Sequence, residues 1–226
     1  MVSRIDRKQV VDTALRLLNE VGLDGLTLRG IAKELNVQAP ALYWHFKNKQ
    51  ELLDEMATEM TRRMTGSMEG VGSGAGPHDG TWQEMVLESC RRVRRELLAY
   101  RDGGKVFSGT RMTDGTAAAV ALDFLMISLT GAGFTLEAAA RAWWTAYNFT
   151  VAVVIEEQSV HPVPGRREIR DPAYDQTERE RQMGREFPLA AQAGQVMFGD
   201  LEQSFEAGLR IIVAGIEAGL GPQAQG

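Results

Sequence analysis

The 226-residue sequence predicts an all-α protein, and three observations carry that expectation. Apolar residues recur at three- and four-residue spacing in segment after segment. Helix starts are marked by Asp, Thr, Asn and Pro, and helix ends by glycine. No stretch alternates apolar and polar residues with the two-residue period of a half-buried strand.

Taken in order, Asp6 and Gln9 have the spacing of a capping box, and Val11, Ala14, Leu15 and Leu18 form the apolar stripe of a first helix. Gly22 and Gly25 end it. Thr27 caps a second helix whose stripe is Leu28, Ile31, Ala32 and Leu35, and Asn36-Val37 makes a short turn. Pro40 falls at the start of a third helix, where its missing N–H costs nothing, and that helix runs through Tyr43 to about His45 or Phe46. Asn48 caps a fourth, Lys49 to about Met68, marked by Leu52, Leu53, Met56 and Met60.

Gly66–Gly80 is glycine-rich with one proline and is expected to be a flexible linker. A phosphate-cradling loop is the sharper alternative, but there is no clean GxGxxG, no preceding strand and no following P-loop lysine. Beyond it, Trp82–Ala99, Gly115–Thr130 and Leu136–Ser159 have helical spacing. Residues 161–177 hold three prolines and many charges and read as an exposed loop. Glu178–Gly194 reads as a helix interrupted by Pro188. The last helix, Asp200–Leu220, carries Leu201, Phe205, Leu209, Ile212 and Ile216 on one stripe, flanked by Ile211 and Val213.

Composition narrows the class. Hydrophobic residues at 44% and charged residues at 24% exclude a mostly disordered chain. The single cysteine, Cys90, excludes a disulfide framework and a Cys-based zinc site, and fits a reducing compartment. The long apolar stretch Met112–Glu137 is broken by Asp114, Asp123 and several glycines, so no membrane span or membrane partner is expected. The first residues, MVSRIDRKQ, lack the apolar core of a signal peptide, and a cytoplasmic location is expected. His45, His78 and His161 are isolated and no nucleophile elbow is present, so the expectation is a protein that is not an enzyme and has no metal cluster or cofactor.

The net charge of −5 is unevenly spread. Residues 1–64 carry ten Lys/Arg against nine Asp/Glu, and Gly25–Gln50 four against one. A locally basic patch can hold phosphates on an acidic protein, because phosphates respond to the local field.

The segment Leu28–Phe46, LRGIAKELNVQAPALYWHF, reads helix, short turn, helix. Leu28, Ile31, Ala32, Leu35, Val37 and Leu42 are placed to pack the pair, and Gln38, Ala39, Ala41, Tyr43, Trp44 and His45 fall where surface is expected. Such a pair can present its second helix to a DNA major groove. It can equally be an ordinary helical hairpin with Tyr43 and Trp44 as core aromatics.

TLRGIAKELNVQAPALYWHFKNKQELLDEMA resembles the DNA-binding domain of the TetR family of transcriptional repressors. LLNEVGLDGLTLR, WQE, YRDGGKVFSGTR, GAGFTLEAA and the run Val154-Ile155-Glu156-Glu157-Gln158 extend the likeness, to the tetracycline-repressor subgroup in particular, over most of residues 3–160. The resemblance implies a helix-turn-helix DNA-binding domain over residues 1–48 and a helical ligand-binding and dimerisation domain over 49–226, working as a homodimer on a palindromic double-stranded operator. Carried onto this chain, base contact falls to Arg29 and to Gln38, Ala39, Pro40 and Ala41. Thr27, Tyr43, Trp44, His45 and Lys49 fall at or beside phosphate contacts. Position 41 is Ala and position 28 Leu, where the subgroup has hydroxyl residues, so its operator preference does not transfer.

In that subgroup a drug–magnesium chelate is held through His, Asn and Glu side chains. Here Glu156 falls at the acidic position, Thr110-Arg111 keep the GTR motif, and Phe107 stands at the position of the metal-binding histidine. Positions that grip the drug's polar edge fall on Thr65 and Ser89, and an aromatic contact position on Val93. The expected site is therefore metal-free: an apolar pocket lined from Phe107, Phe124, Met126, Trp143, Trp144, Tyr147, Asn148 and Val151, taking a small, aromatic effector. Core or dimer packing is the competing role for each of those aromatics. The runner-up function is a helix-turn-helix regulator without a small-molecule inducer, controlled by protein contacts or acting as an activator.

Overall fold

The computed structural model describes residues 5–72 and 80–221, and the chain forms two compact units. The first takes its residues from Met1–Ala75 and Arg95–Asp123, the second from Gly76–Arg94 and Phe124–Gly226. All regular elements among the described residues are helices: α1 Arg7–Gly25, α2 Leu28–Glu34, α3 Ala39–Tyr43, α4 Lys49–Gly72, α5 Trp82–Leu98, α6 Gly103–Ser108, α7 Thr116–Gly131, α8 Leu136–Val160, α9 Gln176–Met183, α10 Pro188–Phe198 and α11 Leu201–Leu220, with a 3-10 turn at Pro172–Tyr174. The all-α expectation holds.

In the first unit the caps fall where the spacing placed them. The Asp6 carboxylate accepts from Gln9 N at 2.8 Å while Gln9 Oε1 accepts from Asp6 N at 3.2 Å, a complete capping box. Val10, Val11, Ala14, Leu15 and Leu18 bury the stripe of α1. Gly22 breaks that helix at φ +73°, a left-handed conformation that side chains resist. Thr27 caps α2, and Asn36, at φ +54°, turns the chain into α3. Asn48 Oδ1 accepts from Glu51 N at 2.9 Å and starts α4. Helix α2 packs on α3, α1 on α2 and α4, and α4 on α6. Ile31, Leu42, Phe46, Leu52 and Met56 are fully enclosed among them.

The second unit is built on α8 and α11, which pack along each other. Phe205, Leu209, Val213 and Ile216 of α11 meet Ala139, Ala142 and Ala146 of α8, with Met85, Val86 and Cys90 of α5 and Leu125, Leu129 and Phe134 beside them. Three alanines in register on α8 let large side chains opposite fill the space. Gly208 does the same for Phe149, whose ring stacks 6.0 Å from Phe205; a Cβ at 208 would stand 2.5 Å from that ring. Trp82 meets Phe134 edge-on at 4.9 Å.

Four sequence expectations need correction. The linker expected over 66–80 does not begin at Gly66, because α4 continues through Gly72; residues 73–79, with His78, lie outside the described ones. Each glycine costs a helix only about 1 kcal/mol, so a few of them need not end one. The exposed loop expected over 161–177 contains the 3-10 turn and the first residues of α9. Pro188 opens α10 in its first turn instead of interrupting a helix, since its missing N–H is harmless there. On α11 the fourth buried position is Val213, with Ile212 only half-buried.

Candidate functional site

The helix-turn-helix separates its side chains by face. Leu42 and Phe46 are fully buried, whereas Tyr43 is 50% and Trp44 89% exposed. The two aromatics are therefore not core residues, and the packing alternative left open by the spacing is excluded for them. Arg29, Gln38 and Pro40 are exposed, and Ala39, Ala41 and His45 half-buried. Thr27 Oγ1 accepts from Gly30 N at 3.0 Å, which leaves its hydroxyl proton free to donate outward.

Lys49 is anchored. Its Nζ donates to the Leu23 carbonyl at 2.6 Å, and the side chain is half-buried. Lys47, for which the sequence carries no motif signal, is exposed. Arg7 holds the unit's entry helix in place, donating to the His45 carbonyl at 2.5 Å and to Glu55 at 3.1 Å with its guanidinium 4.3 Å over the Phe46 ring.

Four of the expected effector residues lie in the first unit. Phe107 is buried on α6, and Thr110 donates to the Phe107 carbonyl at 3.1 Å. Arg111 donates its main-chain N–H to Asp54 at 3.0 Å, and Thr113 donates its own to Thr58 Oγ1 at 2.9 Å. These bonds tie the segment after α6 to α4. Thr65 donates back to the Thr61 and Arg62 carbonyls within α4.

The others belong to the second unit. Trp143 and Trp144 flank Tyr147, with ring centroids 5.8 and 6.0 Å away. Burial pushes the Tyr147 phenol up to about 12. Trp144 is 65% exposed, and Asn148 donates to its carbonyl at 2.7 Å. Val151 is buried, Phe124 half-buried against the core, Ser89 and Val93 half-buried on α5, and Glu156 exposed.

The buried carboxylate is the neighbour of the one expected. Glu157, not Glu156, is enclosed, and it accepts a two-pronged pair from Arg94 at 2.9 and 2.8 Å. The Arg94 guanidinium also lies 5.1 Å over the Phe205 ring. Among the described residues no group of three or more His, Cys, Asp or Glu is placed to hold a metal ion. None of the described helices is long and apolar enough to cross a membrane.

A short capped helix, a tight left-handed turn and a second helix that ends on the exposed Tyr43 and Trp44, in an all-helical chain, define a helix-turn-helix DNA-binding regulator. The family model for bacterial regulatory proteins of the tetR family matches residues 10–56, and that for the tetracyclin repressor-like C-terminal domain matches residues 75–220. The chain belongs to the TetR family of transcriptional regulators. It is 35% identical over 218 residues to the class C tetracycline repressor protein of Escherichia coli, covering 96% of this chain and 92% of that one. A possible TetR family regulator from Streptomyces coelicolor A3(2) has a similar structure, with a TM-score of 0.79 and 37% identity over 94% of this chain and 99% of the other. The S. coelicolor TetR family protein ActR, solved in complex with actinorhodin, has a TM-score of 0.73 at 29% identity over 95% of this chain and 98% of its own.

Proposed function

We propose that the protein is a repressor that binds a two-fold symmetric operator as a homodimer and is released from it by a small aromatic effector. The observation that carries the DNA-binding part is the exposure of Tyr43 and Trp44 beside a fully buried Leu42 and Phe46. Two large aromatics held in water by a well-packed scaffold suit contact with a backbone. Arg29 and Gln38–Ala41 read base edges, and Thr27, Tyr43, Trp44, His45 and Lys49, joined by Lys47, meet phosphates.

The dimer forms through α8 and α11 of both chains as a four-helix bundle. Support comes from Ile211, 73% exposed on α11, with Ala207, Ala214, Gly215 and Ala218 around it small enough for close approach.

For the effector, the aromatic group Trp143, Trp144 and Tyr147 offers ring faces, and the likeness to a tetracycline repressor and to ActR, solved with actinorhodin, favours a ligand-responsive protein. No divalent metal is needed, because Phe107 has no lone pair to give one. Release works through the first unit: displacement of the segment carrying Thr110, Arg111 and Thr113 pulls on Asp54 and Thr58, and thus on α4. The effector must favour the DNA-incompetent state, or it shifts nothing.

A thermal-shift screen of aromatic natural products, tetracycline and actinorhodin among them, followed by operator release, tests this reading. At least one compound should both stabilise the protein and free the DNA without added metal. Stabilisation without release by every hit contradicts it, and release by tetracycline with magnesium that a chelator abolishes contradicts the metal-free part.

A further inference from the structure

Helix α5 carries three arginines within the second unit, and the protein provides carboxylates for two of them. Arg91 grips Glu206 with Nε and Nη2 at 2.8 and 2.7 Å. Arg94 grips Glu157 in the same way. Arg92 is different: the residue as a whole is half-buried, but its Nη1 is enclosed and has no hydrogen-bond partner among the described residues. A guanidinium does not deprotonate, so it cannot shed its charge to escape this environment, and an unmatched buried donor of a charged group is costly. Glu88, one turn earlier at the spacing of a helical ion pair, approaches Arg91 instead, at 4.0 Å.

We propose that Arg92 is the anion-recognising residue of the effector site, donating Nη1–H to a carboxylate or ionised phenol on an acidic aromatic ligand, with Ser89 one turn away as a second polar contact. The proposal rests on the effector-binding reading above. An anionic oxygen gains most at a donor atom that water does not reach and where no protein acceptor must be displaced. The planar fork of arginine also matches a carboxylate better than a lysine would. Ser89, half-buried on the same side of α5, brings a hydroxyl to the second oxygen. The apoprotein bears the cost of the unmatched donor, and the acidic ligand relieves it.

The test uses benzoate, 2-naphthoate and anthracene-2-carboxylate, each beside its neutral amide, titrated calorimetrically into wild type and Arg92→Gln. At least one acid should bind wild type about tenfold tighter than its amide, and Arg92→Gln should weaken the acid more than the amide and so erase that preference. Arg92→Met should raise the melting temperature of the apoprotein by about 2–4 °C, because the unmatched donor is gone. Equal binding of acid and amide, failure of every acid to bind, a preference that survives Arg92→Gln, or a lowered melting temperature in Arg92→Met overturns the assignment. An acid that frees operator DNA equally from wild type and Arg92→Gln leaves the effector reading standing while this one falls. Absence of release by any compound of the wider aromatic screen fails the effector reading itself.

Discussion

Asp102 accepts a hydrogen bond from the main-chain N–H of Leu23 at 2.9 Å, while the carbonyl of the same Leu23 accepts from Lys49 at 2.6 Å. Both main-chain groups of one residue at the end of α1 are thus satisfied by side chains distant in sequence. Asn19 adds a bond from Arg101 N at 2.8 Å, so the DNA-binding helices are held to the α6 segment at a joint. The joint needs two left-handed residues, Gly22 at φ +73° and Asp102 at φ +55°.

Asp102→Ala leaves the Leu23 N–H without its acceptor and should cost about 1–3 kcal/mol of stability in urea unfolding. Lys105→Ala, which removes an exposed ion pair to the same Asp102, should cost no more than about 1 kcal/mol. Equal effects would mean that the joint does not depend on the Leu23 bond.

Arg94→Met or Glu157→Gln strands one charge of an enclosed pair, and each should destabilise by about 3–5 kcal/mol. Replacing both by apolar residues should recover much of the loss. A double variant as unstable as the sum of the singles would show no coupling between the two charges and would contradict this.

Burial raises the Tyr147 phenol from 10.0 to about 12 and the Cys90 thiol from 9.0 to about 11. In both, the folded state holds the proton more tightly than the unfolded chain. Their contribution is complete below the unfolded value and is lost as pH rises through the folded one. Wild type should therefore lose stability more steeply than Tyr147→Phe between about pH 10 and 12, as followed by urea midpoints. Cys90 should resist Ellman's reagent at pH 8 until the protein unfolds. Parallel slopes, or rapid labelling of folded protein, would contradict these surroundings.

Ile211→Glu should shift the sedimenting species from dimer to monomer with little change in helical content, since Ile211 is exposed in the single chain. A charge at Ile216 is not equivalent, because that side chain is buried within its own unit and the variant would disturb the core. A wild type that is monomeric at micromolar concentration, or an unaffected Ile211→Glu dimer, would remove α11 from the interface.

The reading head was legible because its signals are local. Caps at Asp6, Thr27 and Asn48 and the stripe Leu28, Ile31, Ala32 depend on neighbours within a turn or two. Glu157 could have been found the same way: it continues the buried series Ala139, Ala142, Ala146, Thr150, Val154, whereas Glu156 falls off that face. The pairing of Arg94 with it was not readable, since 63 residues separate the two. Nor was the anchoring of Lys49, which depends on the path of α1 past a glycine whose dihedral angles composition does not announce. The Gly66–Gly80 linker misled because each glycine lowers helix preference by only about 1 kcal/mol, which did not end α4 before Gly72.

The central claim, that the exposed face of α2 and α3 reads a symmetric operator, is tested most directly by selecting bound sequences from a pool of random duplex DNA with the wild-type protein. The expected result is enrichment of a palindrome whose half-sites are about 34–36 Å, or one helical turn, apart or a multiple of it. Arg29→Ala should lose preference at one base pair per half-site at a cost of about 1–3 kcal/mol, and Tyr43→Ala should weaken binding to every sequence without changing the motif. A pool that remains random after selection, or a motif unchanged in both preference and affinity by Arg29→Ala and Tyr43→Ala, would contradict it.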